Sequence, residues 1–287
     1  MKITAQQMDT FQSSGFVIIP KLYSDAEISL LRKLVYTIYI KFMPVDCEFK
    51  NITVPWESEL FDTKLQQLRT DRPECFGELF DTVQGSYLFH QFATKSEVSS
   101  IVASLLKDCP ENLSCSGFLY RMDTPQDTKN TLNWHQDISY FPQNFDGKNG
   151  LVVSTVLQDT PEEMGALHVC VGSQHEPAMM PEYGANSKVG VSEQRELSNS
   201  NVARHSVTTC EMQKGDTLIF NLNLFHSSGY NKSKRIRFST LCRYHKMVEE
   251  DYVPFRLYHK YNSAAIERVL KNRGELGQVF RSFYEKG

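Results

Sequence analysis

No apolar run in this 287-residue chain approaches the ~20 residues that a membrane-spanning helix requires. The longest, Phe16 to Pro20 and Leu151 to Leu157, are the size of strands, so no membrane association is expected. Charge of one sign is equally scarce. Lys and Arg total 31 against 34 Asp and Glu, a formal net of −3 without a long one-sign block, which gives no support to nucleic acid or an anionic surface as a partner. The seven cysteines, at 47, 75, 109, 115, 170, 210 and 242, form an odd set with no CxxC pair, so they read as reduced, mostly buried thiols rather than a disulfide frame or zinc knuckle. Met1 to Gln7 holds no basic segment leading into an apolar one, and the expected compartment is therefore the cytoplasm. The sequence also lacks HExxH, Gly-x-Ser-x-Gly, a phosphate-cradling glycine loop and a dinucleotide fingerprint, which removes several common enzyme classes.

What is present is a composition able to build a large core: 40% hydrophobic, 11% aromatic and 23% charged residues. Thr4 with Gln7 and Ser24 with Glu27 match the capping box and predict two helix starts. Ile28, Leu31, Leu34, Val35 and Ile38 recur at helical spacing in the second helix, and Phe16 to Ile19 between the two reads as a short strand. Ser96 is the expected cap of a further helix carrying Ile101, Val102, Leu105 and Leu106. From Ser116 to Met247 the texture becomes β-rich: Gly117 to Tyr120, Leu151 to Leu157, Ala166 to Val171, Thr217 to Leu222 and Arg237 to Tyr244 lie between Gly, Pro, Asn and Asp clusters. An antiparallel barrel or sandwich is expected there, interrupted by a polar stretch, Glu176 to Asn201, that suits a lid over a site. With neither repeats nor a linker, the chain is expected to be a single domain over 1–287: helical support over 1–115, a β core over 116–247 and a helical segment over 248–287, with a helix around Ala264 to Leu270.

Trp134-His135-Gln136-Asp137 is the sharpest chemical signal. Residues two apart on an extended chain share a face, so His135 and Asp137 can converge on one ion. His226, closing the apolar segment Leu218 to Phe225, is the third candidate. Two imidazoles and one carboxylate leave coordination positions open, the arrangement used by non-haem iron(II) oxygenases. Downstream, Arg235 and Arg237 share a strand face, and either can offer a bidentate match to a carboxylate such as that of 2-oxoglutarate. Ser228 can add a hydroxyl to that grip. Lys232 and Lys234 read as a solvated turn, Asp216 as a turn acid at a strand entry, and His168, His175, His205 and His245 as hydrogen-bonded structural histidines.

The run Trp134 to Phe141, the segment Asp159 to Leu167 with Gly172-Ser173-Gln174-His175, and Lys214-Gly215-Asp216 through His226-Ser227-Ser228-Gly229-Tyr230-Asn231 together resemble the phytanoyl-CoA dioxygenase family. The resemblance implies an all-β double-stranded β-helix core, a jelly-roll or cupin-like barrel, with flanking helices. It implies iron(II) held by His135, Asp137 and His226, with 2-oxoglutarate and O2 as co-substrates. It favours Arg237 over Arg235 for the 2-oxoglutarate carboxylate, and it places a basic residue, Arg121, near co-substrate or substrate. Met164, Val171 and the inserted Gln174 depart from the family pattern at turns rather than at ligands. The retained Asp137 disfavours halogenation, in which relatives replace this acid by a small residue. The implied reaction is hydroxylation of a C–H bond of a small organic molecule, with release of succinate and CO2. The chain is expected to be a monomer or weak homodimer with no nucleic-acid or membrane partner. Its terminus Glu285-Lys286-Gly287 does not match a peroxisomal address, which weighs against phytanoyl-CoA as the substrate. The rival readings are a zinc-dependent hydrolase, with Glu162 or Glu163 as acid or base, and a β-barrel that binds a small molecule without turnover.

Overall fold

Both predicted capping boxes are present in the computed structural model, which describes residues 2–43, 47–128, 131–141, 144, 147–179, 182–183, 195–249 and 252. The Thr4 hydroxyl accepts from the amide of Gln7 at 3.1 Å, and Gln7 Oε1 accepts from the amide of Thr4 at 2.9 Å. Ser24 and Glu27 repeat the exchange. Each box satisfies two amides that a helix start leaves unpaired. The helices they open are α1 (Ala5–Ser14) and α2 (Asp25–Phe42), with strand β1 (Phe16–Ile19) between them. Along α2, Ile28, Leu31, Val35 and Tyr39 are buried as one stripe.

Helices α3 (Glu59–Asp71), α4 (Pro73–Gln84), α5 (Tyr87–Ala93) and α6 (Ser96–Leu106) follow. Ser96 does not cap α6, contrary to expectation. Lys95 is the residue that leaves helical backbone, with φ −51° and ψ 138°, so Ser96 is already the first helical position. Its hydroxyl turns to the neighbouring Glu97 carboxylate at 3.1 Å instead of to a backbone amide.

The strands are β2 (Leu113–Asp123), β3 (Gly150–Val156), β4 (Leu167–Cys170), β5 (Glu182–Tyr183), β6 (Arg195–Glu196), β7 (Val207–Cys210), β8 (Thr217–Asn221), β9 (His226–Ser227) and β10 (Arg237–Lys246). A short helix, α7 (Asn199–Val202), precedes β7. The larger sheet has the order β1-β8-β3-β10-β2 and the smaller β7-β4-β9, with all pairings antiparallel. This is the expected double-stranded β-helix with helices against one face. The β core starts three residues before Ser116, at Leu113, and β7 has no counterpart in the sequence reading. Of the polar stretch 176–201, residues 180–181 and 184–194 lie outside the described residues, as does the helix expected around Ala264 to Leu270.

Strand alternation divides the larger sheet between two cores. Leu151, Val153, Ile219, Phe238, Cys242 and Tyr244 pack with α2 to α6, whereas Val152, Val156, Leu218, Phe220 and Leu241 pack between the sheets with Val169 and Cys210. That double coverage explains why β3 reads as an unbroken apolar run rather than an alternating one. On β2 the alternation is reset. Leu241 pairs with Leu119 but Arg243 pairs with Ser116, so β2 carries one extra residue. Gly117 sits in that bulge at φ +61°, where an added Cβ would lie 2.4 Å from the Phe141 ring.

The loop before β4 and the turn after β9 approach so closely that both need glycine. A Cβ on Gly229 would lie 2.4 Å from the Ala166 carbonyl oxygen, and one on Gly165 would lie 2.6 Å from that of Gly229. Gly77, within α4, has nothing within 4 Å of its added Cβ. The same substitution should therefore act with opposite sign at the two places. Gly229→Ala is expected to destabilise by about 1–3 kcal/mol through overpacking, and Gly77→Ala to stabilise by about 0.5–1 kcal/mol through helix propensity. Thermal unfolding of the two variants measures both.

Candidate metal centre and anion pocket

His135 and His226 are brought together by backbone. The amide of each donates to the carbonyl of the other, at 2.9 and 3.0 Å, as an isolated antiparallel bridge. Flanking bonds from Ser228 to the Leu132 carbonyl, 2.9 Å, and from Ile138 to that of Leu222, 3.1 Å, extend the ribbon on both sides. The ring centroids lie 4.1 Å apart. Gln136 is extended, with φ −113° and ψ 133°, so His135 and Asp137 share one side of the strip as predicted. The Gln136 side chain points the other way, where it donates to the carbonyls of Asn223 and Pro177 and accepts from the amide of Met179.

Both imidazoles have their tautomer set. Nδ1 of His135 bonds the Asn133 carbonyl at 2.7 Å and Nδ1 of His226 bonds that of Leu224 at 2.9 Å. A carbonyl only accepts, so Nδ1 carries the proton and Nε2 is left with its lone pair free. The two Nε2 atoms lie 3.4 and 3.5 Å from Oδ1 of Asp137. The three donor atoms all fall within 4.8 Å of one another, and all three residues are buried. Burial and the neighbouring His226 lower the pKa of His135, which favours the neutral ring that a metal requires. Burial alone would raise Asp137, but the guanidinium of Arg243 together with the hydrogen bonds from His135 and His226 outweighs it and holds the carboxyl well below the usual carboxylate range. Two imidazole Nε2 atoms and one carboxylate oxygen form a donor set that fits a divalent transition metal with positions left open.

A cavity between the sheets is lined by Arg121, Ser154, Thr160, Ser228, Arg237 and Ser239. It gathers the three anion-binding candidates of the sequence. Arg121 and Arg237 both donate to Asp123, with Nη2 contacts of 2.8 and 2.7 Å. Burial opposes the ionised form of Asp123, yet the two guanidiniums outweigh it and bring its pKa down to about 2. Two guanidiniums share this one carboxylate, a setting that suits a further carboxylate. Arg235 is elsewhere: it pairs with Asp62, in the first turn of α3, on the helical side of the sheet. Strand alternation is broken ahead of β10, so the two arginines do not share a face after all.

Other candidates take structural roles. His168 bonds Thr209, His175 bonds Gln174, His245 bonds Asn144 and His205 pairs with Glu176. Asp216 accepts from the amides of Lys21 and Gln213, as a turn acid should. Glu162 and Glu163, the acids a hydrolytic reading calls for, are solvent-exposed. Cys75, Cys170, Cys210 and Cys242 are buried free thiols, whereas Cys109 is exposed. Sequence reasoning missed Asp123 and Arg243. Arg243 stands on the same alternation of β10 as Arg237, and Asp123 on that of β2 as Arg121, so the period-2 rule applied to charged positions finds both.

The family described as phytanoyl-CoA dioxygenase (PhyH) matches residues 11–239. The peroxisomal phytanoyl-CoA dioxygenase of Bos taurus is 25% identical over 248 residues, covering 84% of this chain and 68% of the bovine protein. Among solved structures, the epimerase SnoN, crystallised with Fe3+, alpha ketoglutarate and nogalamycin RO, is 16% identical with a TM-score of 0.60, covering 90% of each chain. EctD from S. alaskensis with bound Fe is 19% identical with a TM-score of 0.55, covering 85% of this chain and 77% of that one. No helix among the described residues is long and apolar enough to cross a membrane.

Asp123 generates a prediction with a defined sign. A carboxyl whose folded pKa lies below its unfolded value of about 3.9 stabilises the fold above that value and loses the contribution as pH falls toward about 2. Asp123→Asn takes from the buried Arg237 the carboxylate it shares with half-buried Arg121 and should cost about 3–5 kcal/mol near neutral pH. Denaturant unfolding across pH 2 to 7 should also show a weaker acid dependence in the variant than in the parent.

Proposed function

Because the chain belongs to the phytanoyl-CoA dioxygenase family, we propose that it is a single-domain iron(II)- and 2-oxoglutarate-dependent oxygenase that hydroxylates a C–H bond of a small organic molecule. The observation that carries this reading is the convergence of two Nε2 atoms and one carboxylate oxygen within 4.8 Å. The cavity containing Arg121, Arg237 and Ser228 supports it. In this reading His135, Asp137 and His226 hold the metal. Arg237, with Ser228 and Arg121, seats the far carboxylate of 2-oxoglutarate. The chemistry supplied by iron(II) with 2-oxoglutarate is dioxygen activation coupled to oxidative decarboxylation of the co-substrate, giving succinate and CO2.

The chain's own contribution is position and charge. Nδ1 of each histidine stays on a backbone carbonyl, so neither ring can turn its protonated nitrogen inward. Asp123 aligns Arg121 and Arg237 before any anion arrives, which lowers the ordering cost of binding. Apolar side chains between the sheets, including Phe220 and Leu241, keep water away from the interior. The substrate is proposed only as a polar or amphiphilic small molecule, since one fold carries many reactions. SnoN, an epimerase, illustrates that breadth.

Anaerobic iron(II) with 2-oxoglutarate should produce a metal-to-ligand charge-transfer absorption that His135→Ala or His226→Ala abolishes. An unchanged spectrum in those variants would reject the ligand assignment. Arg237→Gln should raise the KM for 2-oxoglutarate about 10–100-fold, the loss expected for one charge-assisted hydrogen bond. A screen for substrate-dependent succinate release separates oxygenation from zinc-dependent hydrolysis and from binding without turnover.

A further inference from the structure

We propose that Arg243 is a positioning residue for the metal centre: by holding Oδ2 of Asp137 it commits that carboxylate to a single donor oxygen and so keeps one coordination position open. The proposal rests on the metal reading above. Arg243 Nε donates to Oδ2 of Asp137 at 2.8 Å, and its Nη1 donates to the Gly117 carbonyl at 2.9 Å. Its guanidinium carbon lies 4.2 Å from the centroid of the Phe141 ring. A charged hydrogen bond, a neutral one and a ring face fix the guanidinium plane in three ways, and the residue is only 7% exposed.

The two oxygens of Asp137 are thereby given different work. Oδ1 faces the two imidazole nitrogens at 3.4 and 3.5 Å, while Oδ2 is committed to Arg243. Binding a metal through both oxygens would require turning Oδ2 away from Arg243, and a buried guanidinium left without its counter-charge is strongly disfavoured. The one-oxygen mode is the arrangement that keeps every buried charge paired. Arg243 also cancels the charge of Asp137, so the donor set is neutral before a cation enters. The outer atoms of all three candidate ligands are tied. Those of His135 and His226 are held by backbone carbonyls, and that of Asp137 by a side chain. Of these three tethers, substitution can cleanly remove only the last. The bulge at Gly117 is part of the device, because a Cβ there would lie 3.1 Å from Cδ of Arg243.

The test uses Co(II) as the probe on the full chain, without 2-oxoglutarate, so it does not depend on turnover. Arg243→Gln and Arg243→Lys are each prepared in the parent and in an Asp137→Ala background. Arg243→Gln should weaken Co(II) binding about tenfold or more, the usual effect of losing a partner behind a ligand, and should change the visible ligand-field spectrum toward a different coordination number. Arg243→Lys should fall between Gln and the parent, since a point donor cannot reach Asp137 and Gly117 together. In the Asp137→Ala background the Arg243→Gln substitution should not weaken Co(II) binding, because the carboxylate it positions is gone and an unpaired guanidinium there only repels the cation. Parent-like affinity and spectrum in Arg243→Gln, or equal losses in both backgrounds, overturn the proposal. If Arg243→Gln does not fold, Arg243→Lys alone decides it: an Asp137-dependent spectral change supports the proposal and its absence overturns it. Failure of the parent chain to bind Co(II) at His135, Asp137 and His226 rejects the metal reading itself, a result distinct from normal binding that ignores Arg243.

Discussion

Two reciprocal amide-to-carbonyl bonds between His135 and His226 carry the architecture of the site. The strip from Leu132 to Asp137 is not part of either sheet, and this short ribbon, with the Gln136 side chain on the Asn223 carbonyl, holds it against β9. β9 is in turn anchored through β4, where Ser227 pairs with His168 and His226 with Val169. Burial of Phe220 against the His226 ring, with centroids 4.7 Å apart, closes the interior side. These are backbone bonds, so the pairing itself uses no side-chain atom. The tight approach of Gly165 to Gly229 serves the same end, bringing the turn after β9 hard against the loop that enters β4.

The barrel interior holds two charged stations along β10, separated by Ser239 and Leu241. At one end Arg237 and Arg121 share Asp123; at the other Arg243 meets Asp137. Arginine rather than lysine suits both, since each guanidinium makes more than one directed hydrogen bond while remaining charged when buried. The stations differ in balance. At the first two guanidiniums share one carboxylate, and at the second one guanidinium pairs with one carboxylate. The interior thus presents complementary demands a short distance apart.

Much of this was legible in the chain. Thr4, Gln7, Ser24 and Glu27 announced two helices because capping is a local exchange between residues three apart. His135 and Asp137 announced a shared face because extended backbone has period two, and Arg237 followed from its place in the family motif. Other features were illegible for physical reasons. Ser96 looked like a cap, yet the turn at Lys95 moved the helix boundary by one residue. Arg235 and Arg237 looked equivalent by spacing, but the strand begins only at Arg237, and Asp62 draws Arg235 to the helical side. The bulge in β2 is a long-range feature of pairing with β10, and it reverses which residues face inward beyond Gly117. Asp123 and Arg243 stand at readable positions on their strands, but only the folded chain gives them partners distant in sequence.

Each imidazole is oriented by the carbonyl of the residue two positions before it, Asn133 for His135 and Leu224 for His226. The instruction that sets the protonated nitrogen is therefore written inside a tripeptide rather than distributed over the fold. Such a triplet behaves as a self-contained cartridge: surrounding strands may be repacked, lengthened or re-lined, and the ring still presents the same lone pair. The barrel needs only to bring two cartridges face to face, which leaves the walls around them free to be recut for a different guest.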